Sequence, residues 1–364
     1  MKAIVQDRYG SPRALSLAEV EAPRVGDHDV LIDVRAAAVT HADRRLRSGD
    51  YPGVVWLPAR LAMGFTGPRN RPGTMFAGRV AAVGAAVTRL RVGDDVFGSL
   101  LQEGGAYAEQ LVVPEDGRLA RTPGGLSYAQ AAALPYGAIT ALLFLRDLAE
   151  VKPGDRVYIL GASGGVGALA VQVARHLGAE VTGACSARHI DRVLALGAHR
   201  AVDYRAQARD EGPYDVILDT VGATTFQAAR RSLTPRGRYL SLVVTARLIW
   251  DVIVTSIRGG QRALTSSAPG TAAHLDDVRA LVEQGALRPV VDRSFPMEQA
   301  AEAHAWQEGG RAEGTVILNI GAPGGPTVIA IDKSTGKLLW GAGKEWGASY
   351  ASPIPGTSEF LFGD

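Results

Sequence analysis

Three observations predict an α/β chain, with a doubly wound parallel sheet behind a β-rich first part. A glycine-dense turn, Gly161 to Gly167, separates an apolar run from a helix-favouring one. After it, strand-like and helix-like stretches alternate. Before it, short strands are separated by Gly and Pro. Alternation is the pattern of a parallel sheet covered on both faces, and evenly spaced short strands suit a β-barrel-like unit.

The turn carries the chemistry. Val157 to Leu160 is apolar and partly β-branched, and Ala168 to Arg175 favours helix. Between them stands Gly161-Ala162-Ser163-Gly164-Gly165-Val166-Gly167. A phosphate reaches backbone N–H groups and a helix N-terminus where no side chain stands in the way. Read as G-x-G-x-x-G, the first glycine place holds Ala162, with Gly164 and Gly167 in the second and third. The pattern is weak alone, and the flanking strand and helix give it weight. It reads as a dinucleotide site, with an ordinary strand-to-helix turn as the bland alternative.

The second strand, residues 180–184, bears on cofactor choice. An NAD site carries a carboxylate at the end of that strand. This chain has Cys185-Ser186-Ala187-Arg188-His189 there. Ser186 and Arg188 can donate to a 2′-phosphate that a carboxylate would repel, which favours NADP(H). A solvated arginine at a helix start gives the same pattern. Tyr204, on the next strand, is placed to flank the same ribose.

Further strands are expected at residues 200–204, 214–222 and 238–244, with a helix at 226–233. Ligands on such sheets bind beyond the carboxyl ends of the strands. Val221, Gly222, Leu242 and Val243 are therefore expected near the cofactor, although their side chains also suit sheet core. Residues 1 to about 135 show no helical periodicity, and their clearest strands are 3–6, 29–34, 78–84 and 107–113. Helices return at 274–284 and 297–308, before a strand at 314–320. The segment 52–72 has no readable conformation and is expected at the pocket mouth.

Several stretches carry a family resemblance in a shared order. They are Met1-Lys2-Ala3, Arg47-Ser48-Gly49-Asp50-Tyr51, Val92-Gly93-Asp94-Asp95-Val96-Phe97-Gly98 and Gly104-Gly105-Ala106-Tyr107-Ala108-Glu109. Lys152-Pro153-Gly154-Asp155-Arg156-Val157, the glycine loop, and Leu196-Gly197-Ala198 before Val202-Asp203-Tyr204 follow. Over residues 1 to about 320 the chain resembles the medium-chain dehydrogenase/reductase superfamily, in its zinc-independent quinone oxidoreductase branch. The resemblance implies a GroES-like β-barrel catalytic domain (1–136 and 271–320), a Rossmann NADP-binding domain (137–270) and an active site between them. It also implies that Thr140 faces the nicotinamide.

Metal chemistry is expected to be absent. Aligned to zinc-dependent members, the first ligand place holds Thr40, the Gly-His-Glu place reads Gly73-Thr74-Met75, and the later place falls near Pro135-Tyr136. Catalytic zinc takes three N, S or carboxylate ligands. The sole cysteine, Cys185, lies in the cofactor region. Without a Lewis acid, activated electrophiles are the feasible substrates: quinones and α,β-unsaturated carbonyl compounds. His41, Tyr51 and Tyr136 are candidates for polarising the substrate, and each also suits an ordinary packed or surface role. The rival class is a catalytically silent NADP(H)-binding regulatory or interaction protein.

Composition sets outer limits. A net charge of +2 does not point to nucleic acid, and one cysteine excludes a disulfide scaffold. The N-terminus has no signal-like apolar core, and the most apolar later stretch, 240–257, contains Arg247 and Asp251. A cytoplasmic homodimer without a membrane partner is expected, with 240–257 lining the cleft or a subunit contact. Relatives end near Ile320, often after an Arg-Gly-Lys that Ala312-Glu313-Gly314-Thr315 partly preserves. Residues 321–326 read as a linker. Thr327 to Trp340 resembles one repeat of a quinoprotein-type β-propeller, here a lone hairpin without quinoprotein activity, since a propeller needs about four to eight blades.

Overall fold

The computed structural model describes residues 1–51, 53–100, 103–206, 212–267, 270–310, 312, 314–320, 328–331 and 338–342. Two compact units divide the chain, Met1–Ile320 and Gly321–Asp364.

Within the first unit, two sheets occupy different stretches of sequence. The parallel one runs, edge to edge, Arg200–Asp203, Glu180–Cys185, Arg156–Leu160, Tyr214–Asp219, Leu233–Ser241, Arg262–Leu264. Every neighbouring pair is parallel, and numbering these strands along the chain gives the order 3-2-1-4-5-6. That is the doubly wound order, whose direction reverses between the first and fourth strands and leaves a crevice at their carboxyl ends. Both faces are covered, as a parallel sheet requires. Val157 and Ile159 join one apolar core, while Tyr158 and Leu160 pack against another built from Tyr214, Phe226, Tyr239 and Leu248. Each large side chain so buried contributes roughly 1.5–3 kcal/mol.

The second sheet is mostly antiparallel and starts from the long strand Asp29–Val39. Met75–Val83 pairs along one of its edges. The other edge is shared, with Gln110–Pro114 on residues 29–33 and Thr315–Asn319 on 36–39. Its interior is Ile32, Val34, Phe76, Val96, Tyr107 and Leu318. Tyr128–Leu148 is, by length and composition, the one run among the described residues apolar enough to cross a membrane, and most of it is buried. Ala138 and Leu145, within it, belong to the core cluster that also takes Ala38 from one sheet and Ile159 from the other.

Three helices, His41–Ser48, Gly53–Met63 and Tyr128–Ala132, lie in the first 135 residues, where no helical periodicity was expected. His41–Ser48 is capped by Thr40 and Asp43 in a reciprocal box and ends at Gly49 with φ 65°. A Cβ at Gly49 would lie 2.7 Å from the Tyr9 ring and 2.8 Å from the Arg60 guanidinium, so glycine is required twice over. Gly53–Met63 forms in spite of Pro58. Tertiary contacts outweigh its propensity: the Arg60 guanidinium stacks 3.8 Å above Tyr9 and donates to the Phe65 carbonyl at 3.2 Å. The region expected to be helical at 226–233 is shorter, Phe226–Ala229 and a 3-10 turn, and the next strand begins at Leu233. The stretch 240–257 splits into a strand end and the helix Ala246–Arg258, which leaves Trp250, Ile253 and Ile257 exposed.

In the second unit, Val328–Ile331 pairs antiparallel with Leu338–Ala342. The Asp332 to Lys337 turn, on which the propeller resemblance rests, lies outside the described residues.

Candidate functional site

The glycine loop uses each glycine differently. Gly161, with φ 79°, turns the chain off the first strand, and the N–H groups of Gly161 and Ala162 bond the Ala184 carbonyl at 3.1 and 3.0 Å. Gly164 caps the helix Gly165–His176. A Cβ built there meets nothing within 4 Å but the Gly161 carbonyl at 3.4 Å, so this face is open to a ligand. At Gly167 a Cβ would lie 2.1 Å from the same carbonyl, so the third glycine serves close packing of helix on strand.

Above this loop opens a cavity of about 1010 Å³. Gly161, Ser163, Gly164, Ser186, Arg188, Tyr204 and Val221 line it, so the structure brings these expected residues together. Arg188 Nε donates to His189 Nε2 at 3.0 Å, which positions the guanidinium. Ala162 is instead fully buried in the core, Leu242 packs against that core, and Thr140 donates its hydroxyl to the Tyr136 carbonyl at 2.6 Å. Gly165, Val166, Gly167, Gly222 and Val243 are not among the cavity's lining residues. A Cβ at Gly165 would approach Thr315 Oγ1 to 3.5 Å, which brings the last strand of the other sheet against the loop.

Sequence reasoning missed Asp219. It is fully buried at the end of the fourth strand. Its Oδ1 accepts from the N–H groups of Val221, Gly222 and Ala223 at 2.7–3.1 Å, and its Oδ2 from Thr224 N at 2.9 Å and Tyr239 Oη at 3.3 Å. One carboxylate thus shapes the turn that forms a cavity wall. Asp203 and Arg205 also line the cavity and were not anticipated.

A second cluster of buried polar groups centres on Asp43. Its carboxylate accepts from Thr40 N at 2.8 Å, Thr40 Oγ1 at 2.6 Å and Thr74 Oγ1 at 2.9 Å. Burial pushes its pKa up to about 6, against the hydrogen bonds from Thr40 and Thr74. Behind it, Arg47 pairs with Glu308 and donates to His304 Nδ1 at 3.3 Å. His304 Nε2 lies 3.3 Å from Tyr107 Oη, which donates to the Ala38 carbonyl at 3.2 Å. A neutral His304 protonated on Nε2 satisfies all these bonds, and burial with the nearby Arg47 charge lowers its pKa to about 3.

This donor set does not fit catalytic zinc, which needs N, S or carboxylate ligands. The Thr40 and Thr74 hydroxyls are tied to Asp43, and Met75 is buried core. Among the described residues no three His, Cys, Asp or Glu groups converge on one point.

The three polarising candidates lie outside the cofactor cavity. Tyr51 Oη is buried with no hydrogen-bond partner, and burial, with Tyr9 adding, pushes its pKa to about 12. Burial likewise raises Tyr136, and the surrounding protein lowers exposed His41, helped by Arg44 and Arg45. The Arg45 charge contributes at all three groups, and the sequence did not single that residue out.

Comparison with known proteins matches the same two halves. Residues 26–124 fit an alcohol dehydrogenase GroES-like domain and residues 196–318 a zinc-binding dehydrogenase model. Neither model reaches the tail, so they lend the propeller resemblance no support. A mitochondrial NAD(P)H oxidoreductase of Bos taurus is 31% identical, over 88% of this chain and 89% of that protein. The quinone oxidoreductase of Coxiella burnetii superposes with TM-score 0.77 at 30% identity, covering 88% of this chain and 99% of that one. The Escherichia coli quinone oxidoreductase complexed with NADPH gives TM-score 0.72 at 25% identity, over 88% and 100%. The chain also matches a polyketide synthase of Streptomyces halstedii at 34% identity, spanning 6% of that protein's length.

Proposed function

We propose a function for this chain from one premise: it belongs to the medium-chain dehydrogenase/reductase superfamily. It is an oxidoreductase that binds NADP(H), and it reduces a quinone or an α,β-unsaturated carbonyl compound without a catalytic metal. The observation that carries the reading is the glycine-floored cavity with Ser186, Arg188 and Tyr204 along its wall. The open face of Gly164 would take the pyrophosphate, and the Arg188 guanidinium and Ser186 hydroxyl would take the 2′-phosphate. Bound NADPH supplies the hydride.

The chain's own residues hold the acceptor. Tyr51 offers a buried hydroxyl with a free hydrogen bond, suited to a carbonyl oxygen. Its raised pKa keeps it a neutral donor throughout the physiological range. Arg45 adds positive charge where negative charge develops on that oxygen, the electrostatic arrangement that lowers such barriers most. Positioning supplies the rest, roughly 7–11 kcal/mol in favourable cases.

The test is steady-state oxidation of NADPH with a panel of quinones and enones, with and without chelator. Turnover that survives chelation supports the reading. No turnover with any acceptor, or activity lost to chelator and restored by zinc, overturns it.

A further inference from the structure

Enone reduction needs a proton at carbon as well as a hydride, and Tyr51, at about 12, is a poor reservoir for it. The cluster around Asp43 contains a better supplied group. Thr40 Oγ1 and Asp43 Oδ2 are 2.6 Å apart, a short bond whose donor and acceptor exchange with one turn of the hydroxyl. Thr40 stands at the end of the strand Asp29–Val39, directly before exposed His41. On its far side Asp43 borders a cavity of about 20 Å³ shared with Arg47, Asn70, Arg71 and His304. That is room for about one water molecule.

We infer that Thr40 and Asp43 form a proton relay, in which Thr40 delivers a proton to the substrate's α-carbon and Asp43 replaces it from the water cavity behind. The inference rests on the function proposed above and concerns its enone branch. Hydride addition at the β-carbon leaves an enolate. The Thr40 O–H bond breaks as the α-carbon C–H bond forms, and the Asp43 carboxyl proton moves to Thr40 Oγ1. Asp43, left as a carboxylate held by Thr74 and the Thr40 N–H, regains its proton through the cavity. Both electrons enter with the hydride, and the relay moves protons only.

The surroundings suit this cycle. The charged and titratable groups facing Asp43 are Arg47 on its own helix, Arg71 and His304 across the cavity, and Tyr107 and Tyr136 beyond. A carboxyl that titrates near 6 is both present as acid and ready to be re-protonated near neutrality. Quinones set the contrast. Their reduced form takes its proton on oxygen, directly from water, and needs no placed acid.

The experiment compares wild type with Thr40→Val, Thr40→Ser and Asp43→Asn on one enone and one quinone. The ratio of enone to quinone kcat should fall about a hundredfold in Thr40→Val and Asp43→Asn and recover most of the way in Thr40→Ser. The solvent deuterium isotope effect on enone turnover should change with it. A second reading needs no turnover: carboxyl 13C NMR of the cofactor-free protein, with the Asp43 signal assigned by its loss in Asp43→Asn. That signal should titrate near pH 6. An unchanged ratio in Thr40→Val, or an Asp43 carboxyl ionised down to its ordinary value of about 3.9, overturns the relay. Wild type that reduces neither acceptor ends the functional reading and the relay together, whereas active wild type with an indifferent Thr40→Val ends the relay alone.

Discussion

The two ends of this site offer a ligand different materials. Along Gly161–Gly167 the loop offers chiefly main chain, and the buried Asp219 beside it acts by fixing the N–H groups of residues 221–224. Around Asp43 it is side chain: two threonines, an arginine and a histidine that meet from distant parts of the sequence. Main-chain sites depend on what is missing, since any Cβ intrudes on the ligand. Side-chain sites depend on what is present, down to a single hydroxyl.

The sharpest break between the two comes from Gly164→Val. Nothing but a carbonyl at 3.4 Å crowds its Cβ, so the variant should fold while losing NADPH affinity by more than about a hundredfold, or about 2.7 kcal/mol. Titration by fluorescence quenching measures this, and near-normal affinity in a folded variant would falsify the loop assignment. Arg188→Ala removes one charge-assisted bond, about 1.5–3 kcal/mol, and should weaken NADPH about ten- to a hundredfold. NADH, lacking the phosphate, should bind the variant as it binds wild type; equal losses would show that Arg188 does not read the phosphate.

The side-chain half makes a smaller prediction about stability. Asp43 is raised in the fold to about 6, so the native state holds more protons than the unfolded one between about pH 4 and 6. Its contribution therefore falls as pH rises through that window, by about 1.4 kcal/mol per unit. His304 is lowered to about 3. It works the opposite way, adding stability as pH rises towards about 6.5, where the unfolded histidine loses its proton. In wild type the two slopes offset each other between about pH 4 and 6. Asp43→Asn should expose the His304 slope, so its urea midpoint should climb with pH more steeply than wild type. Parallel curves would mean that Asp43 is not buried as described. The smallest effect belongs to the tail: removing residues 326–364 should leave melting temperature and NADPH affinity unchanged, because Met1–Ile320 has its own cores. Aggregation of the shortened chain would contradict this.

How far each half was legible follows from the same contrast. The glycine loop is contiguous, and Ser186 and Tyr204 follow directly on strand ends that the apolar runs reveal. Asp219 was hidden because its role depends on a turn whose N–H groups aim back at it. The helix His41–Ser48 has a capping box and a C-terminal glycine, both readable from Thr40, Asp43 and Gly49. It was missed because Arg44, Arg45 and Arg47 leave no apolar stripe on which periodicity could show. No local pattern links Arg47 to His304; only the returning helix Ala300–Glu308 brings them together.

The shared edge of the strand Asp29–Val39 also bears on how the molecule is made. Ala36 pairs with Asn319, so this strand takes a partner that is synthesised much later in the same unit. The parallel sheet draws all its strands from residues 156–264 and can close earlier. At about 5–20 residues per second, the open edge waits roughly 15–60 s for its partner. During synthesis, then, the half that holds the cofactor can already be folded while the edge of the antiparallel sheet is still unpaired.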